Sequence, residues 1–385
     1  MAERYPAKNL PQSEIVEAGY LEAMLQHFAA SYKLFWLKGI YTEIMKGNRQ
    51  LEYKRVVARM IAAAWYPVVY FNLNLGHADL LADTIHYVHN VLGVKREEQE
   101  ETIVTFICES KDRELLKQIK SFTSMVPFRL IRPFYQRELE YEKKVDHTFN
   151  DGKVNFLIEK YNKRDHNNAL YSMNREEQVL TISPKWAEYI IQNATIIEGW
   201  MNYKLIEYIQ QRNPNVPAIP FKIFPPVQRN LSDATKYWEV VQRQLHLPDI
   251  FTGEAFTSEN IQKNGTISID HFIPWSFVLH DELWNLYPMF KNVNSSKGNK
   301  LPDLNRYLES FCENQYKAFV AAKSMDAPKQ IKQKWLEQYL TVSKEIFKID
   351  ESDKSREFFV ASMRQTIEPL YQIASNQGYG VWWWE

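Results

Sequence analysis

Cysteine is nearly missing: Cys108 and Cys312 are the only two in 385 residues. That excludes a disulfide framework and a four-thiolate zinc site, and it suits two reduced, buried thiols in the cytosol. Net charge is missing too, since 47 basic residues balance 47 acidic ones. A neutral chain does not coat nucleic acid by bulk electrostatics. Any polyanion it binds needs a restricted positive groove, or a protein partner that delivers or activates. No window is long and apolar enough to span a bilayer; the best, 56–75, is interrupted by Arg59 and two asparagines. Residues 1–14 hold no apolar signal core, so we expect a soluble, cytoplasmic chain. There is no internal repeat, no low-complexity segment, no Gly-rich phosphate loop and no Ser-His-Asp arrangement that can be placed.

Apolar residues are abundant, at 45%, and aromatics reach 14%. A chain of this length buries a sizeable core and divides into two or three domains. Helical spacing dominates. Residues 13–47 carry apolar positions at three and four, through Ile15, Leu21, Leu25, Phe28 and Tyr32, until Gly47 and Asn48 end the run. Residues 51–93 form a second helical block, broken near Pro67. Its His77, His86 and His89 lie near Asp79 and Asp83, but a His-x-x-His pair with no flanking catalytic Glu is a weak metal pattern, and they read as satisfied or solvated histidines. The segment 125–138 sets Arg129, Arg132 and Arg137 among Phe128, Phe134 and Tyr135. We expect an irregular, extended crossing there, because two prolines interrupt it. Arginines among aromatics suit a nucleic-acid groove, with Arg129 and Arg132 on phosphates, and suit an interdomain wedge equally.

Residues 138–175 are polar and read as an exposed connection. A short strand is expected at 179–182 and a helix at 184–211, with Pro in its first turn. Five prolines within 213–228 mark a stiff linker. The expected organisation is therefore a mainly helical region at 1–212, a Pro-rich linker at 213–230, a small module at 231–305 and a helical region at 306–385. The last ends in Trp382, Trp383 and Trp384, which should dock on the body or on a partner.

The small module carries the chemistry. Within 267–304, alternation ending in Asp270 and His271 predicts a strand with two polar side chains at its tip. A second apolar run follows at 283–290 and carries Asn285. The polar patch at 292–300 can open a short helix, with Asn as its N-cap. That backbone can gather Asp270, His271, Asn285, Asn294 and Lys297, a set suited to cutting a phosphodiester with one metal ion. A hard cation such as Mg²⁺ keeps several waters, so one carboxylate and one amide oxygen suffice as protein ligands. An imidazole titrates near neutrality and can take a proton from an attacking water.

The order Asp270-His271, Asn285 and Asn294-x-x-Lys297, with Pro274 and Ser276 following the His, resembles the HNH nuclease family. The spacing is close to that of the HNH domain in RNA-guided CRISPR nucleases. The resemblance implies a ββα-metal finger inside a predominantly α-helical α+β chain. It implies His271 as general base, Asp270 and Asn294 as metal ligands, and Asn285 positioning the His loop. Lys297 would stand beside metal and phosphate. Asn292 and Asn299 compete for the place of Asn294. The implied cofactor is Mg²⁺ or Mn²⁺. Where family members place a cysteine pair for structural zinc, this chain has Phe251 and Phe256 around Gly253, so no structural zinc is expected. The implied substrate is DNA rather than RNA, and the long helical region before the module is reminiscent, by analogy, of restriction or phage-defence effectors. The alternatives are a catalytically idle HNH scaffold and an RNA nuclease. Two other Asp-His pairs, Asp146-His147 and Asp165-His166, lack the following strand and Asn and read as solvated loops.

Overall fold

The computed structural model describes residues 8–26, 30–77, 79–146, 149–164 and 168–385. Phe28, His147, Asp165 and His166 lie outside them. The protein is an α+β molecule, mostly helical with a few small sheets. It separates into two compact units, one comprising Met1–Pro214 and Ile219–Pro225, the other Asn215–Ala218 and Pro226–Glu385. Among the described residues no helix is long and apolar enough to cross a membrane.

In the first unit the helices Tyr32–Met45, Tyr53–Trp65 and Glu100–Glu109 pack together. Apolar residues at helical spacing make their shared core, and Leu34, Phe35, Trp36, Leu37 and Ile40 are buried there. One charge is buried with them. Arg59, only 1% exposed, donates to Glu43 and Glu101 and so has its fork satisfied. Three short strands, β1 (Gln50–Glu52), β2 (Tyr171–Asn174) and β3 (Val179–Ile182), form an antiparallel sheet in the order β1-β3-β2. His89 is tied down locally, its Nδ1 lying 2.8 Å from the Val94 carbonyl.

Two sequence expectations fail in this unit. The segment 125–138 is helical, with helix Val126–Ile131 followed by a 3₁₀ turn Arg132–Tyr135. Pro127 and Pro133 are the second residues of those two elements, within the first turn where a missing N–H costs nothing, so they are compatible with helix rather than breaking it. The polar stretch 138–175 is not an exposed connection either. It contains helix Asp151–Arg164, whose Val154, Leu157, Ile158 and Tyr161 are buried. An apolar stripe at three and four residues was hidden there among charges.

The second unit is built around β4 (Ile267–His271) and β5 (Leu286–Phe290), paired antiparallel with Asp270 opposite Tyr287 and His271 opposite Leu286. The finger helix Lys291–Lys297 follows β5 directly. It begins earlier than expected and has no Asn side-chain cap, its first turn being held to the strand pair by the Lys291 N–H donating to the Thr266 carbonyl at 2.8 Å. Gly265 has φ +88° just before β4, and a Cβ there would come within 3.2 Å of Asn292 Oδ1 and Lys291 Cβ. Only glycine suits both the angle and the approach.

The helix Leu304–Ser324 supports the pair: Phe311 stacks on Phe272 at 4.1 Å, and Gln315 donates to the carbonyls of Leu283 and Leu286. β6 (Leu301–Pro302) pairs in parallel with β7 (Val381–Trp382). The tryptophan tail thus docks on the body of its own unit. Trp382 is buried beside Phe251 and Tyr307, and its indole N–H donates to Ser296 Oγ on the finger helix at 3.1 Å. Residues 231–305 and 306–385 accordingly fall within one compact unit.

Candidate active site

The tip of β4 brings five sequence-predicted residues together through short links. Asn285, fully buried, closes a two-way bridge with Ile273: its Oδ1 accepts from the Ile273 N–H at 2.8 Å, and its Nδ2 donates to the Ile273 carbonyl at 2.9 Å. Its own carbonyl accepts from the Phe272 N–H at 2.7 Å. The chain that leaves His271 is thereby clamped to the start of β5, so the imidazole cannot wander.

His271 is 1% exposed. Its Nε2 lies 3.1 Å from the His280 carbonyl, which can only accept, so Nε2 carries the proton. Nδ1 is then the basic nitrogen, and the Arg229 guanidinium stands 3.3 Å from it. Asp281 Oδ1 is 2.9 Å from Nε2, but not in hydrogen-bonding geometry, and has no hydrogen-bond partner among the described residues. The proton of Nε2 therefore goes to the carbonyl, with the carboxylate as a close negative neighbour.

Lys297 is 1% exposed and donates to Asp270 Oδ2 and to the His271 carbonyl, both at 2.8 Å. Burial alone would push the Asp270 carboxyl up, but the Lys297 ammonium, joined by His271 whenever it is protonated, outweighs that and holds it well below the usual carboxylate range. Asn294 lies one turn before Lys297 on the finger helix, and its Nδ2 donates to Ser268 Oγ at 3.1 Å. Ser268 and Asp270, two apart on β4, share a face. The Nδ2 bond assigns the amide, and among the described residues no hydrogen-bond donor reaches Asn294 Oδ1.

The competing asparagines are elsewhere. Asn292 is exposed beside Gly265, and Asn299 Oδ1 accepts from Ser276 Oγ at 2.6 Å. Among the described residues no three His, Cys, Asp or Glu side chains group as metal ligands. What the finger offers is one ionised carboxylate and one amide oxygen, a hard donor pair that fits Mg²⁺ or Mn²⁺ with waters filling the remaining positions.

At the turn between Phe251 and Phe256, ring packing and a carboxylate do the holding. Phe251 packs on Tyr307 at 4.9 Å and Phe256 on Phe290 at 4.8 Å. The buried Asp249 accepts from the N–H groups of Phe251, at 2.8 Å, and Phe290, at 2.9 Å, tying the turn to the end of β5.

Arg129 and Arg132 belong to the first unit. Arg129 pairs with Asp151 at 2.5 Å and is 42% exposed, while Arg132 is exposed. Both lower the pKa of Lys33, after the larger effect of its burial, so the three cations are neighbours. The aromatics between them are not open platforms: Phe128 and Tyr135 are buried, and Phe134 stacks on Tyr20 at 4.8 Å.

Sequence reasoning missed Ser268, Asp281 and Arg229. Ser268 was readable from the alternation that places it on the face of Asp270. Asp281 and Arg229 carry no such signal, since loops bring them to the imidazole.

Residues 249–303 match the HNH endonuclease family, a span that includes both strands and the finger helix. No curated protein and no solved structure matches the chain. The family of the finger points to a nuclease, a hydrolase acting on nucleic acid, and members of this family generally use a divalent metal ion.

Proposed function

We propose that the chain is an endonuclease that hydrolyses phosphodiester bonds in DNA, with His271 as general base and one divalent cation, Mg²⁺ or Mn²⁺. The observation that carries this reading is the state of the imidazole: Nε2–H is committed to the His280 carbonyl, leaving Nδ1 basic, next to an ionised Asp270. A water oxygen attacks phosphorus, Nδ1 takes the water proton, the bond from phosphorus to the leaving oxygen breaks, and solvent protonates that oxygen. Asp270 and Asn294 are the residues that would hold the ion, which supplies charge stabilisation at the phosphate and the leaving oxygen. Lys297 keeps Asp270 ionised and adds positive charge beside the phosphate. Asn285 positions the base through Ile273. Arg129, Arg132 and the neighbouring Lys33 supply phosphate contacts in the first unit. A cytoplasmic restriction or phage-defence role, with a protein partner delivering or activating the substrate, is part of the same proposal.

The test is a cleavage assay on plasmid DNA, single-stranded DNA and RNA, with and without Mg²⁺ or Mn²⁺. Metal-dependent cutting of DNA supports the proposal. Preferential cutting of RNA replaces the substrate, and no cutting of any of the three favours the idle scaffold.

A further inference from the structure

We infer that Arg229 is a catalytic residue of this site, the guanidinium that grips the substrate phosphate beside His271; this rests on the nuclease reading above. Arg229 stands 42 positions before His271 and outside the segment that matches the HNH family, yet its Nη1 reaches 3.3 Å from Nδ1. Its guanidinium also lies 5.1 Å from the centre of the Trp275 ring. Trp275 is four residues beyond the base in the same clamped connection, so platform and base are positioned together.

What distinguishes Arg229 is its neighbour, a ring nitrogen of the buried imidazole. Arg55, Arg59, Arg129, Arg175, Arg356 and Arg364 each pair with a carboxylate, whereas Arg49 bonds main-chain carbonyls and Arg306 lies over the Trp383 ring. Among the described residues no carboxylate forms an ion pair with Arg229, although its guanidinium approaches the buried imidazole and the residue itself is exposed to solvent. A guanidinium has five donors and no acceptor. One neutral imidazole nitrogen satisfies a single donor, whereas a phosphate takes two in charge-assisted, forked geometry. The lone pair of Nδ1 cannot accept from Arg229 and take the proton of the attacking water together. A phosphate that draws the guanidinium aside therefore frees the base at the moment the substrate is gripped. The alternative is a packing role, in which Arg229 only braces Trp275.

The experiment compares the full-length parent with Arg229→Gln, Arg229→Lys and His271→Ala. It measures single-turnover cleavage of a short fluorescent DNA duplex in Mg²⁺, metal-free binding of the same duplex by anisotropy across salt, and thermal melting. Arg229→Gln should slow cleavage by about 10²–10³-fold, the usual effect of deleting one transition-state donor, with Arg229→Lys recovering part of it. The salt slope of binding should fall by about one in Arg229→Gln, with melting unchanged. Lowered melting with equal losses in Gln and Lys and an unchanged slope would overturn the inference in favour of packing. Loss of cleavage in His271→Ala with near-parental cleavage in Arg229→Gln overturns the role of Arg229 alone. Near-parental cleavage in His271→Ala overturns the nuclease reading of the site. If the parent does not cut the duplex, the salt slope decides, and an unchanged slope removes Arg229 from phosphate binding.

Discussion

Two stretches of this chain mix basic side chains with aromatic ones, 125–138 in the first unit and 267–297 in the second, and the fold uses them in opposite ways. In the first, helix formation turns the rings inward and leaves the cations outside. Arg129 meets Asp151 with 42% of its side chain exposed and Asp151 75% exposed, and a pair in that setting contributes about 0–1 kcal/mol. In the second, the cation is taken inside. Lys297 is 1% exposed and held by Asp270 and a main-chain carbonyl, so removing it strands a largely buried carboxylate. What separates surface charge from site charge is the burial of the partner, and that is a property of the fold rather than of the local sequence.

The comparison breaks first at His271. His271→Ala should lower DNA cleavage by roughly 10²–10⁴-fold, the range for loss of a general base, while the protein still melts cooperatively. Near-parental turnover by the folded variant removes His271 from the chemistry.

Lys297→Met tests the buried side directly. Breaking a fully buried ion pair costs roughly 3–5 kcal/mol, and the cost here is smaller because Asp270 keeps 15% of its side chain exposed. The folded-state carboxyl of Asp270 lies below its usual range, so its contribution to stability is present above about pH 4 and is lost as pH falls below that. Lys297→Met removes the main counter-charge, so it should lower stability at pH 7 while the stability lost between pH 7 and pH 3 becomes smaller, read by denaturant unfolding followed by tryptophan fluorescence. Equal stability of parent and variant at pH 7 means the pair contributes nothing.

Asn294→Ala should raise the Mg²⁺ concentration needed for half-maximal cleavage by about tenfold or more, in line with loss of one ligand from a site with few. Asn292→Ala should leave that concentration unchanged, and Asn299→Ala should affect melting, through Ser276, more than metal requirement. A metal defect in Asn299→Ala with none in Asn294→Ala would exchange their roles.

The smallest effect belongs to the exposed side of the comparison. Replacing Arg129 and Arg132 together by Ala should weaken nucleic-acid binding and reduce its salt slope by about one for each phosphate no longer neutralised, with melting nearly unchanged. Unchanged affinity and slope would leave these arginines as surface charge and nothing more.

Local sequence by itself determined the finger. Alternation at 267–271 specifies which side chains reach the strand tip, and a spacing of three keeps Asn294 and Lys297 on one face of any helix that contains them, wherever it starts. That is why the helix could begin at Lys291 instead of further on without moving either residue off the site. The absence of cysteine likewise announced that the 251–256 turn needs another holder, and its two phenylalanines named themselves. Asp249, which bonds two N–H groups 39 residues apart in sequence, did not. Tertiary structure alone decided the surroundings of the base: the His280 carbonyl, the Asp281 carboxylate and the Arg229 fork arrive on loops, where position follows from what the segment packs against rather than from any period. It also decided the helices at 126–131 and 151–164, because proline and charge argue against helix only until the N–H is known to be at a first turn and the apolar stripe to have a core to meet.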